Sequence, residues 1–402
     1  MKIQQTKLGN KGTLIFLVLI SAFPPITTDL YIPALPQMVK NFSTTESMVN
    51  MTLSIFFITY AIGLLIWGPL SEKYGRKPIL MVGFLIYIAS SILCAFASNI
   101  EFLILSRTIQ AFGGSAVTVV ATCIVKDLYD GRERAKIMAT VMSLVIIAPM
   151  IAPVFGAFLL KIAGWRMLFV VLAIFGVLAT LVSLLFEETL TTKFNGSIIR
   201  SWGRIGIVLN NRKFIILLVI FSIVPMSLLS FLAAGSYIYI SVFGLSEQQF
   251  SFAFAFNALC ASMGPILYIK ISKHISVQNI ISFCFAVMAC CGVMILTLGA
   301  QSLWLFVLMM ALATMSGIIV RVPGMNLMLD QQQFDTGSAS ALIQFWSMIL
   351  GAVGMMLVSL TPDDLIHSIG LIQCSVGITA GVLWLLVRNR PFVHDNIVKL
   401  QE

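Results

Sequence analysis

Long apolar runs separated by short charged segments recur along the chain, roughly one every 33 residues. Each is close to the ~20 residues that a helix needs to cross the hydrocarbon core of a bilayer. The pattern predicts helices over 13–37, 47–70, 78–98, 102–125, 137–160 and 165–186, then 214–242, 248–270, 276–299, 302–327, 337–360 and 364–388. The longest polar stretch runs from Glu187 to Lys213 and carries Lys193, Arg200, Arg204, Arg212 and Lys213. It reads as a cytoplasmic linker, with room for a short amphipathic helix on the membrane surface. The expected architecture is therefore an all-α membrane protein of twelve transmembrane helices in two pseudo-symmetric six-helix bundles. Residues 1–187 form the first bundle, 188–213 the linker, and 214–402 the second bundle with a short tail.

Composition agrees with this and closes the alternatives. Of 402 residues, 59% are hydrophobic and 10% charged, with a mean hydropathy of +1.00. Soluble domains carry about 25% charged residues, so no water-facing shell can be assembled here. Disordered and disulfide-framework classes fail on the same figures. The net charge of +9 has a membrane explanation, so no nucleic-acid partner is implied. With both termini inside, 21 of the 25 Lys and Arg residues fall on the cytoplasmic side, leaving only Lys40, Arg107, Lys161 and Arg166. That asymmetry is the positive-inside rule. Lys2, Lys7 and Lys11 precede the first run without a small-residue cleavage signature, which favours a first span over a removed signal. The seven cysteines all lie inside apolar runs and away from histidines, as packing residues do. His274, His367 and His394 form no grouping with ligand or triad spacing, and no G-x-x-x-x-G-K-[ST] sequence occurs. Neither an enzyme nor an ATP-driven pump is expected, and no metal or cofactor.

The two halves echo one another. Gly68-Pro69-Leu70 and Gly264-Pro265-Ile266 stand 196 residues apart, each followed by a basic cluster. Internal duplication of this kind places a transport site between repeats. The turn after the second span reads Gly68-Pro69-Leu70-Ser71-Glu72-Lys73-Tyr74-Gly75-Arg76-Lys77-Pro78. It closely resembles the signature loop of the major facilitator superfamily, with Glu72 where Asp is usual. The resemblance makes Gly68, Glu72, Gly75, Arg76 and Lys77 a conformational latch, Glu72 facing the start of the eleventh span near Thr336 and Gly337. The fifth span carries Ala148-Pro149 and Ala152-Pro153-Val154-Phe155-Gly156-Ala157. Residues 148, 152 and 156 share one helix face and are small enough for another helix to approach closely. This resembles the antiporter motif of drug:proton exchangers, with Ala in place of two glycines; plain helix packing explains it equally well. Thr27-Thr28-Asp29-Leu30-Tyr31-Ile32-Pro33 and Ser106-Arg107-Thr108-Ile109-Gln110 complete a resemblance to the bicyclomycin/chloramphenicol-resistance (Bcr/CflA) branch. It covers most of the first half at specific positions and the second half mainly by layout. It implies a proton-coupled antiporter of the bacterial inner membrane that exports drugs or other small amphipathic compounds. A proton-coupled importer or facilitator of a small metabolite is the alternative on the same fold. A monomer is expected.

Charge depth singles out two residues independently. Asp29 is the one acidic residue well inside a span, about seven residues or ~10 Å from Pro36. Arg107 lies about six residues or ~9 Å from Glu101, a matching depth. Charges inside spans are costly and mark ion or substrate paths, although a purely structural ion pair is the plainer reading. The expectation is that Asp29 carries the proton and Arg107 opposes it, turning to Gln110 when released. Tyr31, Tyr60, Gln110, Tyr237, Asn257, Gln344 and Trp346 are candidate cavity-lining groups. Arg321, by the repeat offset, falls opposite Val125 and is expected to snorkel to the inner interface.

Overall fold

A computed structural model of the chain describes residues 5–129, 133, 136–138, 140, 141, 145, 147–190, 206, 208–332 and 336–393, without the side chains of 336 and 363. Helices are the regular structure of these residues, joined by short turns. The helices are α1 (Gly9–Ser21), α2 (Phe23–Asp29), α3 (Leu35–Asn41), α4 (Glu46–Tyr74), α5 (Arg76–Ala95), α6 (Ile100–Leu128), α7 (Ala148–Ala163) and α8 (Trp165–Leu185). They continue with α9 (Arg212–Ser222), α10 (Val224–Tyr237), α11 (Glu247–Ile271), α12 (Val277–Leu298), α13 (Leu303–Leu329), α14 (Thr336–Ser359) and α15 (Leu365–Val387). Eleven helical segments among the described residues are long and apolar enough to cross a membrane, and α7 is a shorter apolar helix. The predicted fifth span, 137–160, lies partly outside the described residues. So do Lys193, Arg200 and Arg204 of the linker, and His394.

Two predicted spans are broken rather than straight. The first runs from Gly9 to Asn41 as α1, α2, a 3-10 turn at Ile32–Ala34 and α3. Pro24 and Pro25 open α2, Pro33 sits in the 3-10 turn and Pro36 in the first turn of α3. Each removes a backbone donor, so the interruptions fall where the helical ladder is already broken. The seventh span is likewise divided at Ile223 ahead of Pro225, and leaves α10 through a π turn at Ile238–Val242. Several of the longer helices start on side-chain caps. Thr45 caps α4 and Asn99 caps α6, while Ser246 and Gln249 form a reciprocal capping box on α11. Each such cap is worth about 1 kcal/mol.

The Cα framework separates into two compact units, Met1–Ser201 and Trp202–Glu402. In the first, α6 packs on α4 and α5, α5 packs on α8, and α7 lies against α2 and the 3-10 turn. In the second, α12 packs on α15 and α13, α10 on α14, and α11 on α13. Small residues permit these approaches. A Cβ on Gly292 would stand 2.3 Å from the Cys374 nitrogen, which fixes the close contact of α12 with α15. The apolar side chains facing outward, such as Leu85 on α5 and Phe283 on α12, suit a lipid-facing surface.

Candidate functional site

In the first unit, the broken first span carries the reactive side chains. Asp29 closes α2 and is buried, with 6% of its surface exposed. Its Oδ1 accepts one hydrogen bond, from Thr28 Oγ1 at 3.0 Å. Thr28 Oγ1 also reaches back one turn to the carbonyls of Pro24 and Pro25. One residue beyond Asp29, α7 presses on the chain. A Cβ added to Gly156 would lie 2.2 Å from the Leu30 carbonyl oxygen. Of the antiporter-type helix motif, Ala152, Pro153, Gly156 and Ala157 are buried, while Ala148 and Pro149 are half-buried. Its glycine therefore meets the backbone beside Asp29.

Arg107 is fully buried in α6, within an aromatic box. Its guanidinium carbon lies 4.3 Å from the ring centre of Phe56, 4.8 Å from Tyr31 and 5.8 Å from Phe169. Its Nη1 donates to Gln110 Oε1 at 2.7 Å and, more weakly, to the Thr27 carbonyl at 3.4 Å. Nε and Nη2 have no hydrogen-bond partner among the described residues. Gln110 passes the network on, its Nε2 donating to Ser91 Oγ at 2.7 Å. Thr27 and Tyr87 share a hydroxyl contact at 2.6 Å, and Tyr31 binds Thr52 through its hydroxyl at 2.8 Å. Quadrupolar ring faces stabilise a cation without neutralising it, so the charge persists.

The expected direct opposition of Asp29 and Arg107 is corrected here. The structure holds no ion pair between them: Asp29 binds Thr28, and Arg107 binds Gln110. The physical reason is rotation about the helix. Arg107 contacts Thr27 and Tyr31, which are four residues apart and share a face. Asp29 lies midway between them, about 200° around the helix from Thr27. Tyr31, Gln110 and Arg107 are thus one cluster, while Asp29 stands on the other side of the same segment. Phe56, Phe169 and Ser91 complete the cluster and are absent from the sequence-derived candidates. Aromatic residues are too frequent in apolar spans for the pattern to have marked these two.

The remaining candidates scatter. Tyr60 pairs its hydroxyl with Thr118 in the first unit. Tyr237 and Asn257 are buried on α10 and α11 of the second unit, Asn257 Nδ2 having no partner among the described residues. Gln344 is half-buried on α14, and Trp346 is 37% exposed, edge-on to Phe345.

The loop between the second and third spans is better ordered than a generic charged turn. Gly75 adopts φ +112°, a region open to glycine and strained for other residues. Arg76 is buried and pairs with Asp127 at the end of α6, Nε to Oδ2 at 2.8 Å, while its Nη1 donates to Ser71. Lys77 Nζ donates to the carbonyls that end α8, Leu184 and Phe186. Glu188, just past α8, accepts from the backbone N–H groups of Arg76 and Lys77 at 2.9 and 3.1 Å. It is the N-terminal cap of α5, supplied from a distant segment. Gly68 has open space around it, and Glu72 is exposed.

This topology and loop, on eleven apolar helices, match a known family. Residues 17–355 fit the profile of the Major Facilitator Superfamily. The chain belongs to the major facilitator superfamily. Members of this superfamily are membrane transporters, not enzymes, and the chain is a multi-pass membrane protein that transports small molecules. A bicyclomycin resistance protein homolog from Haemophilus influenzae is 24% identical over 372 residues, covering 88% of this chain and 91% of that one. The multidrug resistance protein MdtL of Salmonella schwarzengrund is 27% identical over 235 residues, 58% of this chain and 60% of that one. Both fit the bicyclomycin/chloramphenicol branch of the superfamily. Among solved structures, a peptide transporter POT in complex with sulfate superposes with a TM-score of 0.75 at 14% identity, covering 96% and 98% of the two chains.

Proposed function

We propose that this major facilitator protein is a proton-coupled antiporter that exports drugs or other small amphipathic compounds by alternating access. Asp29 is the proton carrier. The observation that carries this reading is that, among the described residues, Asp29 is the one acid well inside the spans, buried and held by a single hydroxyl. An unpaired intramembrane carboxylate costs several kcal/mol, and protonation removes that cost. Arg107 keeps a fixed positive charge in the same bundle but faces away from Asp29, so its unpartnered Nε and Nη2 reach a deprotonated Asp29 only if the first span turns. The prolines around Asp29 give the first span a place to turn between the two conditions. Movement of one side chain's partner thereby biases a two-state element. The resistance-protein relatives favour drug export over import of a metabolite.

The same reading completes the architecture. Twelve spans, with both termini in the cytoplasm, form bundles over 1–187 and 214–402 joined by the 188–213 linker. The protein acts as a monomer in the bacterial inner membrane, without cofactor or metal. Glu72, Gly75, Arg76 and Lys77 latch one state of the cycle, Glu72 against the start of the eleventh span.

Everted vesicles test the coupling. With the vesicle interior acidified, substrate should load and protons leave in the native protein. Asp29→Asn should retain substrate binding but lose proton release, and any residual flux should no longer vary with pH. Native, pH-driven exchange in Asp29→Asn would refute the role.

A further inference from the structure

The second unit holds a cavity that the proton-coupling cluster does not use. It encloses about 620 Å³ of empty space, counting its open mouth, between α9, α10, α12, α13 and α14. Its walls include Phe221, Met288, Met325 and Met328, and it is lined by Arg321 and Thr314. Thr314 and Arg321 stand seven residues apart on α13 and so share one face of the helix. Arg321 was expected to reach the inner interface, but α13 continues eight residues past it to Leu329, about 12 Å. Its side chain is exposed along this cavity, and it has neither an ion pair nor a hydrogen bond among the described residues. Thr314 is buried at 6% exposure, and its hydroxyl likewise has no partner. A helical threonine ordinarily bonds the carbonyl one turn back, so this hydroxyl is free to serve another group.

A lone guanidinium that cannot lose its proton, on an apolar helix and lining a mostly apolar cavity, calls for an anion. The geometry points to a binding site for a singly charged amphipathic anion, an organic carboxylate whose oxygens meet Arg321 and Thr314 while its apolar body rests on the methionines and Phe221. One cation matches one negative charge, so a carboxylate leaves the cavity neutral whereas a dianionic phosphate would not. The arginine fork fits a carboxylate through two parallel hydrogen bonds. Mostly apolar walls with a few placed polar groups are the usual form of a small-molecule site, and thioethers adapt to varied bodies. This deepens the transport reading above by naming a substrate charge, but binding itself requires no proton at Asp29.

The test uses the full chain in lipid nanodiscs with 2-naphthoate as fluorescent probe and 2-naphthamide as its neutral twin, empty nanodiscs being subtracted for partitioning. The native protein should bind naphthoate at least tenfold more tightly than the amide. Arg321→Gln should weaken naphthoate about ten- to a hundredfold, the scale of a lost charged hydrogen-bond partner, and leave the amide unchanged, which also reports that the variant is folded. Arg321→Lys should keep the greater part of the preference, and Thr314→Val should weaken naphthoate severalfold. Equal affinity for acid and amide in the native protein overturns the proposal, as does a naphthoate preference that survives Arg321→Gln. The acid–amide comparison is made with Asp29 native throughout, so it does not read proton transfer. A failure of proton coupling therefore shows in the vesicle assay alone, and a failure of this site in the nanodisc titration alone.

Discussion

Gly156→Ala is the sharpest probe of how α7 meets the first span. The added methyl would start 2.2 Å from the Leu30 carbonyl oxygen and 3.0 Å from its carbonyl carbon. Ordinary carbon–oxygen contact needs roughly 3.3 Å, so α7 or the Leu30 peptide must retreat by about 1 Å, and neither is a flexible side chain. Overpacking of this kind costs about 1–3 kcal/mol. Alanine's better helix propensity returns at most about 1 kcal/mol of it. Because Leu30 follows Asp29 directly, the retreat displaces the proton carrier as well. The comparison is Gly12→Ala in α1, where the new methyl meets Leu8 at an ordinary 3.5 Å. Thermal melts in detergent should show Gly156→Ala clearly lowered and Gly12→Ala unchanged or raised. Substrate-driven proton release in everted vesicles should fall at least tenfold for Gly156→Ala alone. Native melting together with native exchange in Gly156→Ala would refute the close approach and leave the alanine–proline pattern as ordinary lipid-facing sequence.

Other consequences can be measured alongside. Arg107→Lys keeps the charge but cannot spread a planar fork across Phe56, Tyr31 and Gln110, so it should lose about 2 kcal/mol of stability in chemical denaturation and most of its transport; native behaviour would show the aromatic box is idle. Glu188→Ala uncaps α5 and should cost about 1–2 kcal/mol, read as an earlier unfolding transition, whereas Glu187→Ala should cost less. Ser246→Ala removes one half of the α11 capping box and should cost about 1 kcal/mol, with transport unaffected. Gly292→Ala should be among the most disruptive single methyl additions in the second unit, since the Cys374 backbone lies 2.3 Å from the new carbon; normal expression and melting would contradict the α12–α15 packing.

The sequence carried the long spans well, because apolar runs of helical length have few other uses. It also carried the signature loop, whose Gly75 φ and Arg76–Asp127 pair need those residue types. Burial was readable for Asp29 and Arg107 from their places inside apolar runs. Direction around the helix was not. Which face of the first span meets Arg107 is set by how α2 packs on α6, which counting along one helix cannot supply. So two buried groups proved to face different ways. The offset used for Arg321 presumes equal helix lengths beyond the aligned tripeptides, whereas α13 runs further past Arg321 than α6 runs past Val125. Glu188 was invisible as a cap because its partners, Arg76 and Lys77, lie more than a hundred positions away.

The reach of Glu188 back to the head of α5 has a consequence for anyone dividing the gene. A fragment severed after Leu190 brings its own fastening with it, including the bonds from Gln5 and Thr6 to Glu187. One severed after Phe186 leaves the third span's leading amides bare and the amino-terminal strap with nothing to grip. Co-expressed half-proteins should therefore reassemble from the longer piece and fail from the shorter, although the two differ by four residues and share every complete helix.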